Sequence, residues 1–223
     1  MQEKAERSTG QMMMYIVRHG ETEWNRLRRV QGHTDIELND YGRRLARETA
    51  AGMEDVHLDL CFTSPLKRAK ETALLVLGDR TIPVYDEPRI QEIGFGSYEG
   101  VQIGGEDEKS RLFARFFSDT GHYAAPEDGE TVQMLYERTG DFLREMISRE
   151  DLADKNILVS THGAAMTALL NRIKGNLSVA HFWKDEVPPN CSVTIVRIEN
   201  GKTEILKEGV IFYKEQVKKW KTV

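Results

Sequence analysis

Two short apolar runs constrain this chain most, because each reads as a buried β-strand that ends in His-Gly. The first is Met12 to Val17, followed by Arg18-His19-Gly20-Glu21-Thr22. The second is Ile157-Leu158-Val159-Ser160-Thr161, followed by His162-Gly163. Open α/β sheets hold their ligands at the C-terminal tips of their strands. Two such tips presenting His-Gly point to one shared phosphate-handling site, which a single tip would not.

The rest of the pattern alternates strand and helix. Further strands are expected at 58–63, 82–85, 191–198 and 203–210, the last two flanking the hairpin signal Asn200-Gly201. Helical spacing runs from Asp40 to Met53, from Thr131 to Ile147 and from Gly163 to Ile173. Another helix is expected from Pro65 to Leu77, with Ser64 as its cap and Pro65 at its first position. This alternation predicts a three-layer α/β/α sandwich with a mostly parallel central sheet and an antiparallel edge strand. Residues 1–11 read as a flexible tail and 12–223 as a single domain.

Composition narrows the function classes. The chain has 223 residues and a formal charge of −5, which argues against nucleic acid as a bulk partner, so an anionic substrate needs a local basic pocket. No apolar run approaches transmembrane length, and Met12 to Val17 is too short for a signal-peptide core, so no membrane partner is expected. Cys61 and Cys191 are too few for a disulfide framework and read as buried free thiols. A cytoplasmic location follows as the expectation. His33, His57, His122 and His181 lack ligand-like spacing, so no metal or other cofactor is expected. The basic segment from Lys214 to Lys221, with Trp220, reads as a solvated tail in preference to a binding patch.

Four segments carry candidate chemistry. A lone histidine is ordinarily a hydrogen-bonded structural residue, but Arg18 and Gly20 change the reading of His19. Glycine allows close backbone approach, a guanidinium fork grips phosphate oxygens, and a neutral imidazole is nucleophilic. Lys67 and Arg68 fall in the first turn of an expected helix, where the macrodipole disfavours cations. They are either two solvated surface cations or, with the N–H groups of that helix start, part of a phosphate cradle. Glu92 lies in Arg89-Ile90-Gln91-Glu92-Ile93-Gly94-Phe95-Gly96-Ser97-Tyr98-Glu99-Gly100, a glycine-rich shaped loop. Taken alone it is an exposed loop glutamate; beside a bound phosphate it suits a general acid.

Together these motifs resemble the histidine phosphatase superfamily in its phosphoglycerate-mutase-like branch. The resemblance rests on Arg18-His19-Gly20-Glu21-Thr22-Glu23-Trp24-Asn25 and on Gln31-Gly32-His33-Thr34-Asp35-Ile36-Glu37-Leu38-Asn39 with Gly42. Ser64-Pro65-Leu66-Lys67-Arg68-Ala69, then Glu92 with Phe95-Gly96 and Glu99-Gly100, then Thr161-His162-Gly163 follow in the family's order. The resemblance implies that His19 attacks phosphorus and becomes a phosphohistidine. It implies that Arg18, Arg68 and His162 bind the phosphoryl oxygens, with Asn25, Gln31 and Gly163 assisting, and that Glu92 is the general acid and base. Positioning and charge stabilisation are what phosphoryl transfer requires, and these side chains supply both without a metal.

Mutases of the family resemble this chain around the active site but carry a longer insertion with paired arginines. Between Glu92 and His162 this chain has Leu112, Phe113, Phe116 and Phe117 in a helix-like patch and no paired arginines. The shorter aromatic insertion, about 100–130, is similar to that of the broad-specificity phosphatases and is expected to fold as a helical cap. Hydrolysis of small phosphorylated metabolites is the favoured reading, with mutase-type phosphoryl transfer as the rival. A phosphate-binding module without turnover is a second rival, disfavoured because a binder has no need of nucleophile and acid together. The aromatic patch is expected to pack against the main domain; the alternative is that Phe113, Phe116, Phe117, Tyr98 and Tyr123 face the leaving group. Monomer and homodimer stay equally open.

Overall fold

The computed structural model describes residues 10–184 and 186–214. Its strands are β1 (Gln11–Arg18), β2 (Leu60–Thr63), β3 (Val84–Asp86), β4 (Asn156–Thr161), β5 (Val193–Glu199) and β6 (Lys202–Val210). Its helices are α1 (Glu23–Arg26), α2 (Asp40–Gly52), α3 (Lys67–Leu77), α4 (Glu108–Ser118), α5 (Val132–Ser148) and α6 (Gly163–Ile173). The strands form one sheet in the order β3-β2-β4-β1-β5-β6. The first four are mutually parallel, whereas β5 runs antiparallel to β1 and β6 antiparallel to β5. Asn200 and Gly201 turn the β5–β6 hairpin with φ of 51° and 73°, the left-handed backbone that this residue pair tolerates best.

Side-chain alternation along β1 divides the core. Met12, Met14 and Ile16 face a cluster with Phe142, Leu143 and Met146 of α5 and Met166, Leu169 and Leu170 of α6. Val17 faces the other side, with Leu45 and Ala46 of α2 and Ala73, Val76 and Leu77 of α3. The sheet is therefore covered on both faces, and the three-layer expectation stands. A third cluster joins Phe113 and Phe116 of α4 to Phe95, Leu135, Tyr136, Ala165, Ala168 and Phe182, seating the helical insertion against α5 and α6. Among the described residues no helix is long and apolar enough to cross a membrane.

Two expectations need adjustment. Gln11 already belongs to β1, while residues 1–9 of the expected tail lie outside the described residues, as does the basic segment beyond Lys214. Helix α3 starts at Lys67, with Leu66 at the cap position and no cap from its own side chain. The Asp35 carboxylate accepts the Lys67 N–H at 2.7 Å instead, so a neighbouring loop caps this helix. Ser64 is thereby left for another task.

The loop after β1 lies directly on the first turn of α2. Asn39 caps that helix by accepting the Gly42 N–H at 2.8 Å. A Cβ on Gly42 would stand 2.1 Å from the Glu21 carbonyl oxygen, and one on Gly20 would stand 2.7 Å from that of Gly42. Both glycines are required by close approach of two backbones. Alanine in a helix is favoured over glycine by about 1 kcal/mol, yet Gly42→Ala is expected to lower stability by about 1–3 kcal/mol through this clash. Urea unfolding measures it, and a variant as stable as the parent would contradict the contact.

Candidate active site

Register assembles the site. In the parallel pairing Arg18 lies opposite Thr161, and Ser160 lies opposite Thr63. Strands β1 and β4 thus finish level and β2 one residue short of them, and their next residues are His19, His162 and Ser64. The two imidazoles stand 5.1 Å apart between ring centroids, and His162 Nε2 is 2.7 Å from Ser64 Oγ. The His19 main chain is pinned on both sides, its N–H donating to Thr161 and its carbonyl accepting from Asn190 Nδ2. His19 and His162, 143 positions apart in sequence, meet because β1 and β4 end at one level.

Each group is then oriented locally. The His19 Nδ1–H donates to the Gly20 carbonyl at 2.7 Å, an assignment that leaves the ring's lone pair on Nε2. Gly20 N–H is held in turn by Thr72 Oγ1 at 2.9 Å. Arg18 donates from Nη1 to the Pro188 carbonyl at 2.5 Å. Arg68 donates to the carbonyls of Thr34 and Gly32 at 3.0 and 2.7 Å. Both arginines keep a buried Nε without a hydrogen-bond partner, and so does His162 at Nδ1. Unpartnered buried polar atoms are costly, which makes these three candidates for contact with an anion.

Asn25 closes a capping box with Thr22, and Thr22 Oγ1 donates onward to Gln31 Oε1 at 2.9 Å. Thr161 Oγ1 donates to the Ile90 carbonyl, anchoring the loop that carries Glu92 to the end of β4. The Glu92 carboxylate accepts N–H groups from Ile93, Ala164 and Ala165, each at 3.1 Å. His162, at the cap position of α6, turns its ring to Ser64, so Glu92 takes the place of a helix cap.

Burial sets the charge states. Burial pushes His19 well below its ordinary value of 6.5, with Arg68 and Arg18 adding to the shift and the Gly20 bond opposing it. His162 is lowered well below 6.5 too, by burial first and then by Arg68 and His19. Both rings are neutral at pH 7. Burial also lowers Arg68, to about 10, and lowers Arg18 against the opposing pull of Glu92; both stay cationic.

These groups floor an open cleft of about 580 Å³ lined by Arg18, His19, Asn25, Gln31, Arg68, Glu92 and Gly163. His162 is fully buried beside His19, with its Nδ1 left without a hydrogen-bond partner. Phe113, Phe116 and Phe117 line the outer wall and also pack on Phe95 and on one another, as the packing reading expects. Tyr98 and Tyr123 stay in the packing and do not line the cleft. Sequence reasoning missed Trp183 and Val187 on that wall, and Pro188 and Thr72 in support. Thr72 alone left a trace, one helical turn after Arg68. Among the described residues no three His, Cys, Asp or Glu side chains come together as a metal site.

Comparison with known proteins places this geometry. The phosphoserine phosphatase 1 of Hydrogenobacter thermophilus is 30% identical over 197 residues, covering 88% of this chain and 92% of that one. A 2,3-bisphosphoglycerate-dependent phosphoglycerate mutase of Cytophaga hutchinsonii is 28% identical over 164 residues, 73% of this chain and 77% of that one. Among solved structures, Bacillus stearothermophilus YhfR superposes with a TM-score of 0.82 at 31% identity, covering 90% of this chain and 98% of its own. The model of the histidine phosphatase superfamily (branch 1) matches residues 14–210, and the chain belongs to that family.

Proposed function

We propose that this protein hydrolyses small phosphomonoesters through a phosphohistidine on His19. Nε2 of His19 attacks phosphorus, the N–P bond forms, and the bond from phosphorus to the leaving oxygen breaks while Glu92 gives that oxygen a proton. Water then attacks the phosphohistidine, Glu92 takes the water's proton, and phosphate departs with His19 restored. Arg18 and Arg68 hold the equatorial oxygens, His162 supplies a donor at Nδ1, and Asn25, Gln31 and the Gly163 end of α6 complete the cradle. Neutralising the transferring group and holding it in line is most of what this chemistry asks of a protein, and a placed acid adds about two to four orders of magnitude. The observation that carries the reading is the buried His19 ring, its Nδ1 bonded to the Gly20 carbonyl, lining one cleft with the buried Arg18 and Arg68.

Hydrolysis is preferred to mutase chemistry because the outer wall is aromatic. Retaining a bisphosphorylated intermediate needs a second cationic grip. Arg29 is the one further cation lining the cleft among the described residues, and it donates to the Gly100 carbonyl. Residues 100–130 act in this reading as the cap, and the wall of Phe113, Phe116, Phe117 and Trp183 favours apolar or aromatic leaving groups. The buried free thiols Cys61 and Cys191 suit a reducing, cytoplasmic compartment.

Three outcomes are expected. His19→Ala abolishes turnover of p-nitrophenyl phosphate, and rapid quench of the parent traps an acid-labile phosphoryl label absent from the variant; near-normal kcat in the variant would refute the nucleophile. Aryl phosphates show a higher kcat/KM than sugar phosphates, and a strong sugar preference would count against the aromatic wall. Stability is present above pH 6.5 and is lost as pH falls from there toward the lowered values of His19 and His162, since the unfolded chain takes up protons that the native rings refuse. The slope is at most about 1.4 kcal/mol per pH unit for each ring. Urea midpoints from pH 7 to 5 should show it, with a shallower slope in His162→Asn; a flat profile would contradict the buried neutral rings.

A further inference from the structure

The Glu92 loop is held by a guanidinium that phosphoryl transfer itself does not use. Arg138, midway along α5, spends all of its N–H groups on this loop and on one carboxylate. Nη1 donates to the carbonyls of Arg89 and Gln91 at 2.9 and 2.8 Å. Nη2 donates to the carbonyl of Glu92 itself at 2.8 Å and to Glu130 Oε2 at 2.8 Å, and Nε donates to Glu130 Oε1 at 2.7 Å. Glu130 grips the loop one step further on. Its Oε2 accepts the Gly94 N–H at 2.8 Å, and its own N–H donates to the Gly94 carbonyl at 2.7 Å. His33 Nε2 meets the Glu92 carbonyl from the other side at 2.8 Å.

An ion pair that served only to join α5 to the sheet would not need this pattern. The partners are three carbonyls of one short segment, ending on the residue that carries the acid. The pair is largely enclosed, each side chain 18% exposed, and α5 is anchored around it by buried Leu135, Tyr136 and Phe142. A rigid helix thus reaches across to set main-chain atoms, and the Glu92 side chain inherits that placement. Only a planar fork with five donors can serve three carbonyls and a carboxylate at once, which the lysine ammonium cannot.

We propose that Arg138 and Glu130 are positioning residues for the general acid, fixing the main chain from Arg89 to Gly94 so that the Glu92 carboxyl stays at the start of α6 beside the cleft. This rests on the reading of Glu92 as the acid, so the test measures both. Arg138→Met, Glu130→Gln, Glu92→Gln and the Arg138→Met/Glu92→Gln pair are assayed on p-nitrophenyl phosphate and on β-glycerophosphate, whose leaving group needs a proton. Misplacing a reacting group by about 1 Å can cost about a hundredfold. Arg138→Met is therefore expected to lower kcat on β-glycerophosphate by about 10- to 100-fold, p-nitrophenyl phosphate far less, and KM by no more than about threefold. Glu130→Gln, which keeps the side chain's shape, moves the same way by less and carries the test if Arg138→Met fails to fold. Inhibition by inorganic phosphate stays near the parent's, because the cradle lies on other elements. In the Glu92→Gln background Arg138→Met causes no further loss. If Glu92→Gln shows the leaving-group dependence and neither Arg138→Met nor Glu130→Gln does, the clamp is overturned and the acid stands. Equal losses on both substrates, or losses that add in the double variant, would reduce the clamp to a stabilising ion pair and overturn it. A Glu92→Gln variant with no leaving-group dependence would remove the acid, and the clamp's purpose with it.

Discussion

The fixed register of three parallel strands, two ending level and the third one residue short, is the constraint from which the rest follows. Ladder hydrogen bonds hold β1, β4 and β2 so that Arg18 pairs with Thr161 and Thr63 with Ser160. A slip of one residue in either pairing would send His19 or His162 to the opposite face of the sheet. The two-sided core prevents that slip. Met14 and Ile16 belong to one cluster and Val17 to the other, and no register shifted by one residue satisfies both. Active-site geometry and core packing are consequently the same fact seen from the two ends of a strand.

That geometry forces charge into the interior of an acidic protein. Two guanidinium groups that are nearly or wholly buried sit beside two imidazoles, and the imidazoles yield by staying neutral. Carbonyls of Pro188, Gly32 and Thr34 absorb part of the cost for the arginines, and the unpartnered Nε atoms are what they leave over. The field needed for a phosphoryl group is local. The net charge of −5 is carried elsewhere on the surface.

Much of this was legible in the chain because it depends on local pattern. The alternation of apolar runs and helical spacing located every strand and the long helices, and the Asn200-Gly201 turn located the final hairpin. His19, His162, Arg68 and Glu92 could be placed together through ordered motifs at strand and helix ends. What stayed hidden is what depends on distant partners. Ser64 reads as a helix cap until Asp35, from another loop, takes that task and frees Ser64 to hold His162. Trp183 and Val187 sit in an irregular stretch with no periodicity to mark them, and they reach the cleft only through tertiary folding. Nothing in the sequence around Glu130, just before a helical pattern, and Arg138, within it, distinguishes loop-gripping residues from two solvated surface charges.

The two cysteines carry a practical consequence. Cys61 lies in β2 and Cys191 donates its main-chain N–H to the Arg18 carbonyl, one on each side of the β1–β4 pair. Burial shields both sulfurs fully and pushes both thiols up to about 12, so neither exists as a thiolate in the closed molecule. Alkylating reagents can reach them only while the sheet is breached. The pair is a native clock for transient opening of the catalytic layer, readable by mass spectrometry without any engineered probe.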